Sequence, residues 1–191
     1  MPCPIPEYCD AVYATVYSSA KTGREGSATG IIYWSFREHS AAPLIVLDWD
    51  IVQIEGRFLP AWLPFQFDRL AVWGERSNAM SSIGMWIEDK AAGSVILNWA
   101  ERVGLPAQAV PEKVAKVGKD ELAINASGYT QSGLIKFTDD AHALEVDYRG
   151  VKKNHLLMQI AGFKPGAEMA DELLRSFTYG VALSLGDASG A

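Results

Sequence analysis

Two aspartates with a spacing of two could act together as an acid/base pair. Asp48 and Asp50 flank Trp49 in an expected strand, and this spacing places both carboxylates on one face of that strand. If the face lines a cleft, the pair could exchange protons with a substrate. The alternative is that both residues lie on the solvated face of a half-buried strand.

A third carboxylate, Glu75, follows Trp73 and Gly74 in another expected strand. In an apolar cleft this side chain could donate or accept a proton near neutral pH. At a strand end in water it would instead pair with a neighbouring arginine, Arg69 or Arg76. The residues alone leave both interpretations open.

No metal site and no cofactor site is expected. The three histidines, His39, His142 and His155, are scattered over expected turns and strand ends. Cys3 and Cys9 lie close together without histidines at ligand spacing, so they predict no zinc site and could be either bonded or free. The sequence also lacks the phosphate-loop, dinucleotide-binding, zinc-protease, serine-hydrolase and calcium-loop motifs.

The composition is typical of a globular protein with an acidic surface. The chain has 191 residues, 49% hydrophobic and 21% charged, with a net charge of −6. We expect one domain over residues 1–185 and a disordered tail at 186–191. The charge argues against nucleic-acid binding and against adhesion to anionic membranes. Because neither a leader nor a bilayer-spanning apolar run is visible, we expect a cytoplasmic protein without membrane insertion.

Hydrophobic periodicity predicts many strands and few helices. Residues 56–67 have two prolines among aromatics, which predicts a loop or an edge segment. Helices are expected at 106–117 and 167–179, residues 94–103 fit a strand or a helix, and 22–27 predict a turn. Since no strand–helix–strand alternation is visible, we expect one curved antiparallel sheet rather than a parallel one. The expected strands are 11–19, 30–37, 44–55, 69–75, 80–88, 121–127, 133–137, 143–149 and 155–160.

Three segments in the first half carry a resemblance to a known family. They read TGIIYWSFRE from residue 29, VQIEGRFLPAW from residue 52 and RLAVWGERSN from residue 69. This order resembles the VioE-type enzymes of violacein biosynthesis, where a GYxWFDYE strand precedes an RIDGxFxPW turn and an LWxSExxN strand. The residues at comparable places are Gly30, Trp34, Gly56, Phe58, Pro60, Trp62, Trp73, Glu75 and Asn78.

The resemblance implies a mainly β (α+β) fold similar to the Lol-type lipoprotein carriers. That fold is a half-open antiparallel β-barrel, here with a short central helix and a C-terminal helix. The resemblance also implies a cofactor-independent, cytoplasmic enzyme of secondary metabolism, of the cyclase or isomerase type, that forms a homodimer. Its substrate would be a flat aromatic or conjugated intermediate derived from indole-pyruvate, held in an apolar cleft while it rearranges.

The resemblance assigns roles to two sets of residues. Trp34, Trp49 and Trp73, which belong to the second set, could instead be core pairs between neighbouring strands. The catalytic residues would be Glu75, Tyr17 and Tyr13. The substrate-binding residues would be Thr15, Trp34, Phe58, Trp62, Trp73 and Asn78. Trp49 joins them because its ring, on a neighbouring strand, could form a stacking wall for a planar ligand.

Two other classes of function remain open beside the enzyme, because a fold does not fix a function. The first is a carrier-like protein that binds a lipid or a lipoprotein in the same cleft. The second is a protein-binding module that uses its acidic surface. In every case the expected partners exclude nucleic acid, and for the enzyme the partner is a small hydrophobic or aromatic substrate.

Overall fold

A mixed sheet with helices on both faces forms the framework of the protein. The computed structural model describes residues 2–19 and 27–186. In these residues the main sheet has seven strands and a separate hairpin has two. The strands are β1 (Pro2–Cys3), β2 (Cys9–Ser18), β3 (Ser27–Phe36), β4 (Leu44–Ile54), β5 (Ala79–Ile87), β6 (Ala107–Ala109), β7 (Ile135–Thr138), β8 (Val146–Tyr148) and β9 (Val151–Lys153).

Several helices begin at recognisable sequence signals. Pro60 lies in the first turn of the long helix after β4, where its missing N–H costs no hydrogen bond. Asn154 caps the helix after β9, because its side-chain oxygen accepts a hydrogen bond of 2.9 Å from the N–H of Leu157. The helices are α1 (Leu59–Arg76, preceded by a 3-10 turn at Gly56–Phe58), α2 (Ala92–Val103), α3 (Glu112–Ala115), α4 (Lys119–Gln131), α5 (Asp139–Ala143), α6 (His155–Ala161) and α7 (Glu172–Leu185).

The direction in which the chain crosses the sheet reverses between β2 and β5. The strand order is β1-β7-β4-β3-β2-β5-β6. Strands β2, β3 and β4 form an antiparallel meander, whereas β5 pairs with β2, and β6 with β5, in parallel. The chain therefore leaves β2 towards one edge of the sheet and leaves β5 towards the other. Such a reversal is a topological switch point, where a crevice opens outside the carboxyl ends of the strands.

Alternation along β2 sends its side chains to two helical layers. Val12 and Val16 pack on the face that carries α1 and α2. Tyr13 lies on the other face, where its hydroxyl donates to a backbone carbonyl of α7. The first turn of α7 lies directly on β3, since a Cβ at Gly30 would stand 2.9 Å from the backbone of Glu172. This close contact fixes the start of α7 over the carboxyl end of β2.

The expectation of a mainly β, half-open antiparallel barrel with two helices is wrong. The protein is α/β, and four of the six strand pairs in the described main sheet are parallel. The physical reason lies in the connections. Helices α1 and α2 are crossovers, and a crossover returns the chain so that the next strand runs parallel to the last one.

The helix α1 replaces an expected loop at 56–67 and an expected strand at 69–75. Leu63 and Leu70 are fully buried on its inner side, seven residues apart, as a helical stripe requires. The β-branched and aromatic residues that suggested a strand lie partly on its outer side, where Val72 is exposed. Pro60 lies in the first turn, and Pro64 lies inside the helix, where it removes one backbone hydrogen bond without ending the helix.

Other segments also differ in secondary structure from what hydrophobic periodicity predicts. The expected strands at 121–127 and 155–160 are helical, in α4 and α6, and the undecided segment 94–103 is α2. The expected helix at 106–117 divides into β6 and α3, because Pro111 stands immediately before α3 in an extended conformation. The strands that became β2, β3, β4, β5 and β7 are confirmed, as is the closing helix, although α7 begins later than expected.

The structure settles some of the remaining expectations and does not test others. The two cysteines, left open by the sequence, are free thiols. Within the described ranges, no helix has both the length and the apolar character to cross a membrane. The expected tail after residue 186 and most of the expected turn at 22–27 lie outside the described residues. That residues 1–185 form one domain stays a prediction.

Candidate functional site

Four polar side chains meet where β2 and β5 end and α7 begins. They are Tyr17, Glu88, Arg175 and Tyr179, and we call them the switch-point cluster. The parallel pairing of β2 with β5 places Val16 beside Ile87, so the next residue of each strand stands at the same edge of the sheet. Helix α7 crosses above this edge and supplies the other two members. The cluster therefore lies at the topological switch point of the sheet.

Glu88 is a buried carboxylate surrounded by hydrogen-bond donors. Its side chain is 5% exposed, and its backbone N–H donates to the carbonyl of Val16 over 3.3 Å, which extends the parallel pairing. The Tyr179 hydroxyl donates to Oε1 over 2.6 Å. The same oxygen lies 3.4 Å from Nη2 of Arg175 and 3.6 Å from Nζ of Lys90. A buried carboxylate needs this compensation, because desolvation without partners is costly.

Arg175 is held between two aromatic rings. Its guanidinium carbon lies 5.2 Å from the ring centroid of Tyr17 and 5.4 Å from that of Tyr179. Its Nη2 donates to the Tyr179 hydroxyl over 3.0 Å. Cation–π contacts at these distances favour the charged guanidinium. The arginine is therefore fixed in place as well as charged.

Both phenols of the cluster keep their protons at neutral pH. Burial raises the pKa of Tyr17, and the positive charge of Arg175 opposes this rise. Burial also raises the pKa of Tyr179 well above its ordinary value, and the hydrogen bond to Glu88 raises it further. The cluster thus contains one carboxylate, one guanidinium and two phenols that keep their protons.

The first turn of α7 brings further charges to the rim of the cluster. Asp171 forms a 2.8 Å ion pair with Lys119. Glu172 is buried, and its Oε2 has no hydrogen-bond partner in the structure. Gln159 fixes this turn, because its amide oxygen accepts hydrogen bonds from two backbone N–H groups of α7. These orphan N–H groups would otherwise be unsatisfied at the helix start.

A groove of about 540 Å³ lies beside the cluster. Trp86 of β5 forms one wall, and it is two residues before Glu88 on the same face of the strand. Lys113, Glu121 and Asn125 add polar groups, and the remaining lining is mainly apolar. The groove therefore combines an indole, a cation, a carboxylate and an amide next to the cluster.

Of the three residues expected to be catalytic, only Tyr17 belongs to the switch-point cluster. The Tyr13 hydroxyl is buried and donates to the carbonyl of Gly180 over 2.8 Å. Glu75 lies on α1, on the opposite face of the sheet, and its side chain is exposed. The structure therefore does not bring the three side chains together.

The residues expected to bind substrate are distributed over both faces of the sheet. Thr15 and Trp34 are buried and bond to each other, with the indole N–H donating over 2.9 Å. Trp49 is buried on the same face and donates to the carbonyl of Ala141. On the α1 side, Trp73 is buried, Trp62 half-buried and Phe58 exposed, and Asn78 lies in the turn before β5. No common cleft joins these seven residues, and the contacts of Thr15, Trp34 and Trp49 are those of a packed core.

Asp48 and Asp50 form an ion-pair network rather than an open acid/base pair. Arg69 of α1 lies 2.6 Å from Oδ2 of Asp48 and 3.1 Å from Oδ2 of Asp50. The indole of Trp73 also donates to Asp48 over 3.1 Å. Burial raises the pKa of Asp50, and Arg69 opposes this rise. The network joins β4 to α1 and contains neither an exposed proton donor nor a free carboxylate.

Solved structures of a nuclease domain have a fold similar to that of this chain. The human cytomegalovirus terminase nuclease domain aligns with a TM-score of 0.61 and 12% identity, over 92% of this chain and 83% of that chain. An Mn-soaked, inhibitor-bound structure of that nuclease domain aligns with a TM-score of 0.62 and 12% identity, over 93% and 84% of the two chains. The fold is RNase H-like. No family model matches the sequence, and no curated protein matches it.

The RNase H-like fold contradicts the resemblance to the VioE-type family and the Lol-carrier fold. The violacein-like cyclase, the lipid carrier and the acidic protein-binding module are contradicted with it. The barrel cleft on which the first two depended does not exist, because a packed sheet fills that space. An enzyme is compatible with an RNase H-like fold, since the neighbours are named as nucleases, but a cyclase or isomerase is not supported. The nuclease neighbours also contradict the small aromatic substrate and the exclusion of nucleic acid.

The switch-point cluster does not fit the metal ions that nuclease chemistry on this fold would imply. Such ions need several carboxylate oxygens around them. In residues 2–19 and 27–186, no group of three or more His, Cys, Asp or Glu side chains is placed to hold a metal ion. Glu88 shares the cluster with phenols and a guanidinium, and a guanidinium cannot ligate a cation.

Sequence reasoning missed Glu88, Arg175 and Tyr179. The available signal for Glu88 was an acidic residue placed directly after a buried apolar strand. The signal for Arg175 was a basic residue among the largely apolar residues of the closing helix. Neither signal points to the other, because 87 residues separate Glu88 from Arg175. The two residues come together only because β5 pairs with β2 and α7 packs above the ends of both strands.

Proposed function

We propose that this chain is a nucleic-acid-processing domain of the terminase nuclease type, whose ligand is the backbone of a nucleic acid. The observation that carries the proposal is the agreement in fold with the terminase nuclease domain over 92% of this chain. A cytoplasmic location remains part of the proposal.

The position of the switch-point cluster supports this function. Ligands of open α/β sheets bind outside the carboxyl ends of the strands, at the topological switch point. Tyr17 and Glu88 stand at this point, and α7 adds Arg175 from above. The switch-point cluster therefore lies where ligands of this fold class bind.

Three lysines stand near the cluster, although the net charge of the chain is −6 and Glu121 also lines the groove. Lys90 stands at the rim of the cluster with 67% of its side chain exposed. Lys113 lies in the adjacent groove, and Lys119 is held at the start of α7 by its ion pair. Phosphate contacts come mainly from such lysine and arginine side chains.

The groove beside the cluster offers a stacking surface. Trp86 is half-buried, and its indole lines the groove together with Lys113. Stacking of a base on an aromatic ring stabilises single-stranded nucleic acid by about 1–3 kcal/mol per base. The groove thus suits an unpaired base next to a backbone held at the cluster.

The test is fluorescence anisotropy with labelled nucleic acids over a series of salt concentrations. The probes are a DNA duplex, the same duplex with a single-stranded end, and the matching RNA. We expect a Kd on the order of 10⁻⁴ to 10⁻⁶ M that weakens as salt rises. Lys90→Gln should lower the slope of log Kd against log salt by about one, since it removes one phosphate contact.

The matched control is Lys152→Gln. Lys152 is an exposed lysine on the β8–β9 hairpin, which lies beside β4 on the other arm of the sheet. This control removes the same charge from the protein, so a slope that changes equally in both variants would contradict a site at the cluster. Absence of binding to all three probes at low salt would overturn the proposed function itself.

A further inference from the structure

The ends of β2 and β5 and the start of α7 converge, and their side chains decide which ions can stay between them. Tyr17, Glu88 and Arg175 occupy these three positions. Among these three side chains only Glu88 is an anion. At the start of α7, Asp171 is already paired with Lys119 and Glu172 is buried. A protonated phenol and a guanidinium supply none of the carboxylate oxygens that Mg²⁺ and Mn²⁺ prefer.

The one carboxylate of the cluster is already neutralised by the protein. Glu88 Oε1 accepts a 2.6 Å hydrogen bond from Tyr179 and lies within 3.4 Å of Arg175 and 3.6 Å of Lys90. A divalent ion at Glu88 would have to displace these donors. It would also stand beside a guanidinium that cannot lose its proton, and repulsion between like charges is strong at a buried site.

The arginine cannot easily move away to admit an ion. Its guanidinium lies over the rings of Tyr17 and Tyr179, and its side chain is only 13% exposed. The helix that carries it is fixed on β3 by the close contact at Gly30. The positive charge is therefore a permanent part of the site.

We propose that Arg175 is a built-in cation standing where nuclease chemistry requires metal ions, so that this domain binds nucleic acid without a divalent cation and does not cleave it. The statement about nucleic acid rests on the proposed function. The statement about metal ions stands on the cluster alone, and its test contains no nucleic acid.

The test is a titration with MnCl2, followed by calorimetry and by the electron paramagnetic resonance signal of free Mn²⁺. The wild type should bind no Mn²⁺ at the cluster. The double variant Tyr17→Asp, Arg175→Asp should bind it with a Kd on the order of 10⁻⁴ M, because it adds two carboxylates to Glu88 and frees that residue. Glu172, with its unpartnered Oε2 nearby, is available as a further ligand.

The matched control is the double variant Tyr17→Phe, Arg175→Gln. It removes the same hydroxyl and the same positive charge but adds no carboxylate, so it should remain without Mn²⁺ binding. Circular dichroism selects the variants that keep the wild-type spectrum. If the folded double acidic variant binds Mn²⁺ no better than this control, the assignment of the metal position is wrong. If the acidic variant fails to fold, Arg175→Asp alone is used, and the same comparison with Arg175→Gln applies.

Two results with the wild type would also overturn the inference. The first is Mn²⁺ binding that Glu88→Gln abolishes. The second is Mn²⁺-dependent nicking of a supercoiled plasmid that is lost in Glu88→Gln protein purified in the same way. We expect neither, and we expect the anisotropy of a bound DNA duplex to be the same in EDTA and in MnCl2 at matched ionic strength. If no nucleic acid binds but the metal results hold, only the proposed function fails.

Discussion

Gly180 of α7 lies face to face with the indole of Trp34 on β3. A Cβ at residue 180 would stand 2.3 Å from a ring carbon of this indole, far inside van der Waals contact. The helix therefore approaches the sheet more closely than any other residue type would allow at this position. This contact helps to set the height at which Arg175 stands above the ends of the strands.

We expect Gly180→Ala to destabilise the protein. Because the indole is fully buried and its N–H is bonded to Thr15, it has little room to move. Overpacking of this kind costs about 1–3 kcal/mol. The control is Gly128→Ala in α4, where no atom lies within 4 Å of the added methyl. Urea denaturation should show a loss for residue 180 and a gain of about 0.5–1 kcal/mol for residue 128; equal effects would contradict the packing argument.

Tyr179→Phe should change both the stability at neutral pH and its dependence on alkaline pH. The lost hydrogen bond leaves Glu88 with one donor fewer, at a cost of about 1–3 kcal/mol. In the wild type the pKa of Tyr179 is raised above its ordinary value of 10.0, chiefly by burial. The folded state therefore keeps a proton that the unfolded state loses, so stability is complete below pH 10 and falls as pH rises above it.

The measurement is the free energy of unfolding between pH 7 and pH 11. Each retained proton gives a slope of about 1.4 kcal/mol per pH unit in the alkaline range. Tyr179→Phe should make this slope shallower by the contribution of one retained proton. Tyr129→Phe, outside the switch-point cluster, is the control for loss of a phenol. An unchanged slope in Tyr179→Phe would mean that this phenol ionises freely in the folded protein.

Arg69→Met should destabilise the protein by about 3 kcal/mol at pH 7, because it leaves Asp48 and Asp50 as neighbouring, partly buried carboxylates. The pKa of Asp50 is already raised by burial, and loss of the opposing arginine raises it further. A raised carboxyl pKa means that stability falls as pH rises through the interval between the unfolded and folded values. The loss should therefore be smaller at pH 4 than at pH 7.

The comparison for this prediction is Arg76→Met. Arg76 and Asp140 form an exposed pair at 3.7 Å, and such pairs contribute little. Urea denaturation of both variants at the two pH values gives the answer. A deficit in Arg69→Met that is constant with pH would show that lost packing, rather than the two carboxylates, accounts for it.

Gln159→Met should weaken the start of α7. The Gln159 amide oxygen accepts hydrogen bonds from the N–H groups of Leu173 and Leu174 over 2.9 and 3.0 Å. Without this acceptor, two buried donors are unsatisfied, at a cost of about 1–3 kcal/mol each when no water replaces it. Hydrogen exchange at these two amides should accelerate, while Gln131→Met at the exposed end of α4 leaves it unchanged. Unchanged protection in Gln159→Met would show that another group caps the helix.

Local periodicity was enough to find much of the sheet and the closing helix. The alternation in the second, third and fourth strands is strong because one or both faces of each are buried, and the apolar stripe of α7 is equally regular. Such patterns reflect burial on a face, which neighbouring residues along the chain determine together. They carry no information about the direction in which two distant strands pair.

One misread element was enough to change the fold class. The segment 59–76 contains two prolines and several aromatics, so its periodicity was obscured, and without α1 the crossover from β4 to β5 was not visible. Strands joined only by loops suggest antiparallel pairing, and that pattern led to a barrel and then to a cleft. The helix alone makes β5 parallel to β2.

The switch-point cluster belongs wholly to the tertiary structure. Tyr17, Glu88 and Arg175 each have an ordinary local setting: a strand end, a strand end and a helix surface. The sequence determined their chemical types, and so it determined that a cation and a phenol, rather than carboxylates, are available. Only the parallel pairing of β2 with β5, and the close seating of α7 on β3, bring Arg175 within 3.4 Å of Glu88 and within 5.2 Å of the Tyr17 ring. Contacts between residues so far apart in the chain depend on the packing of the whole sheet.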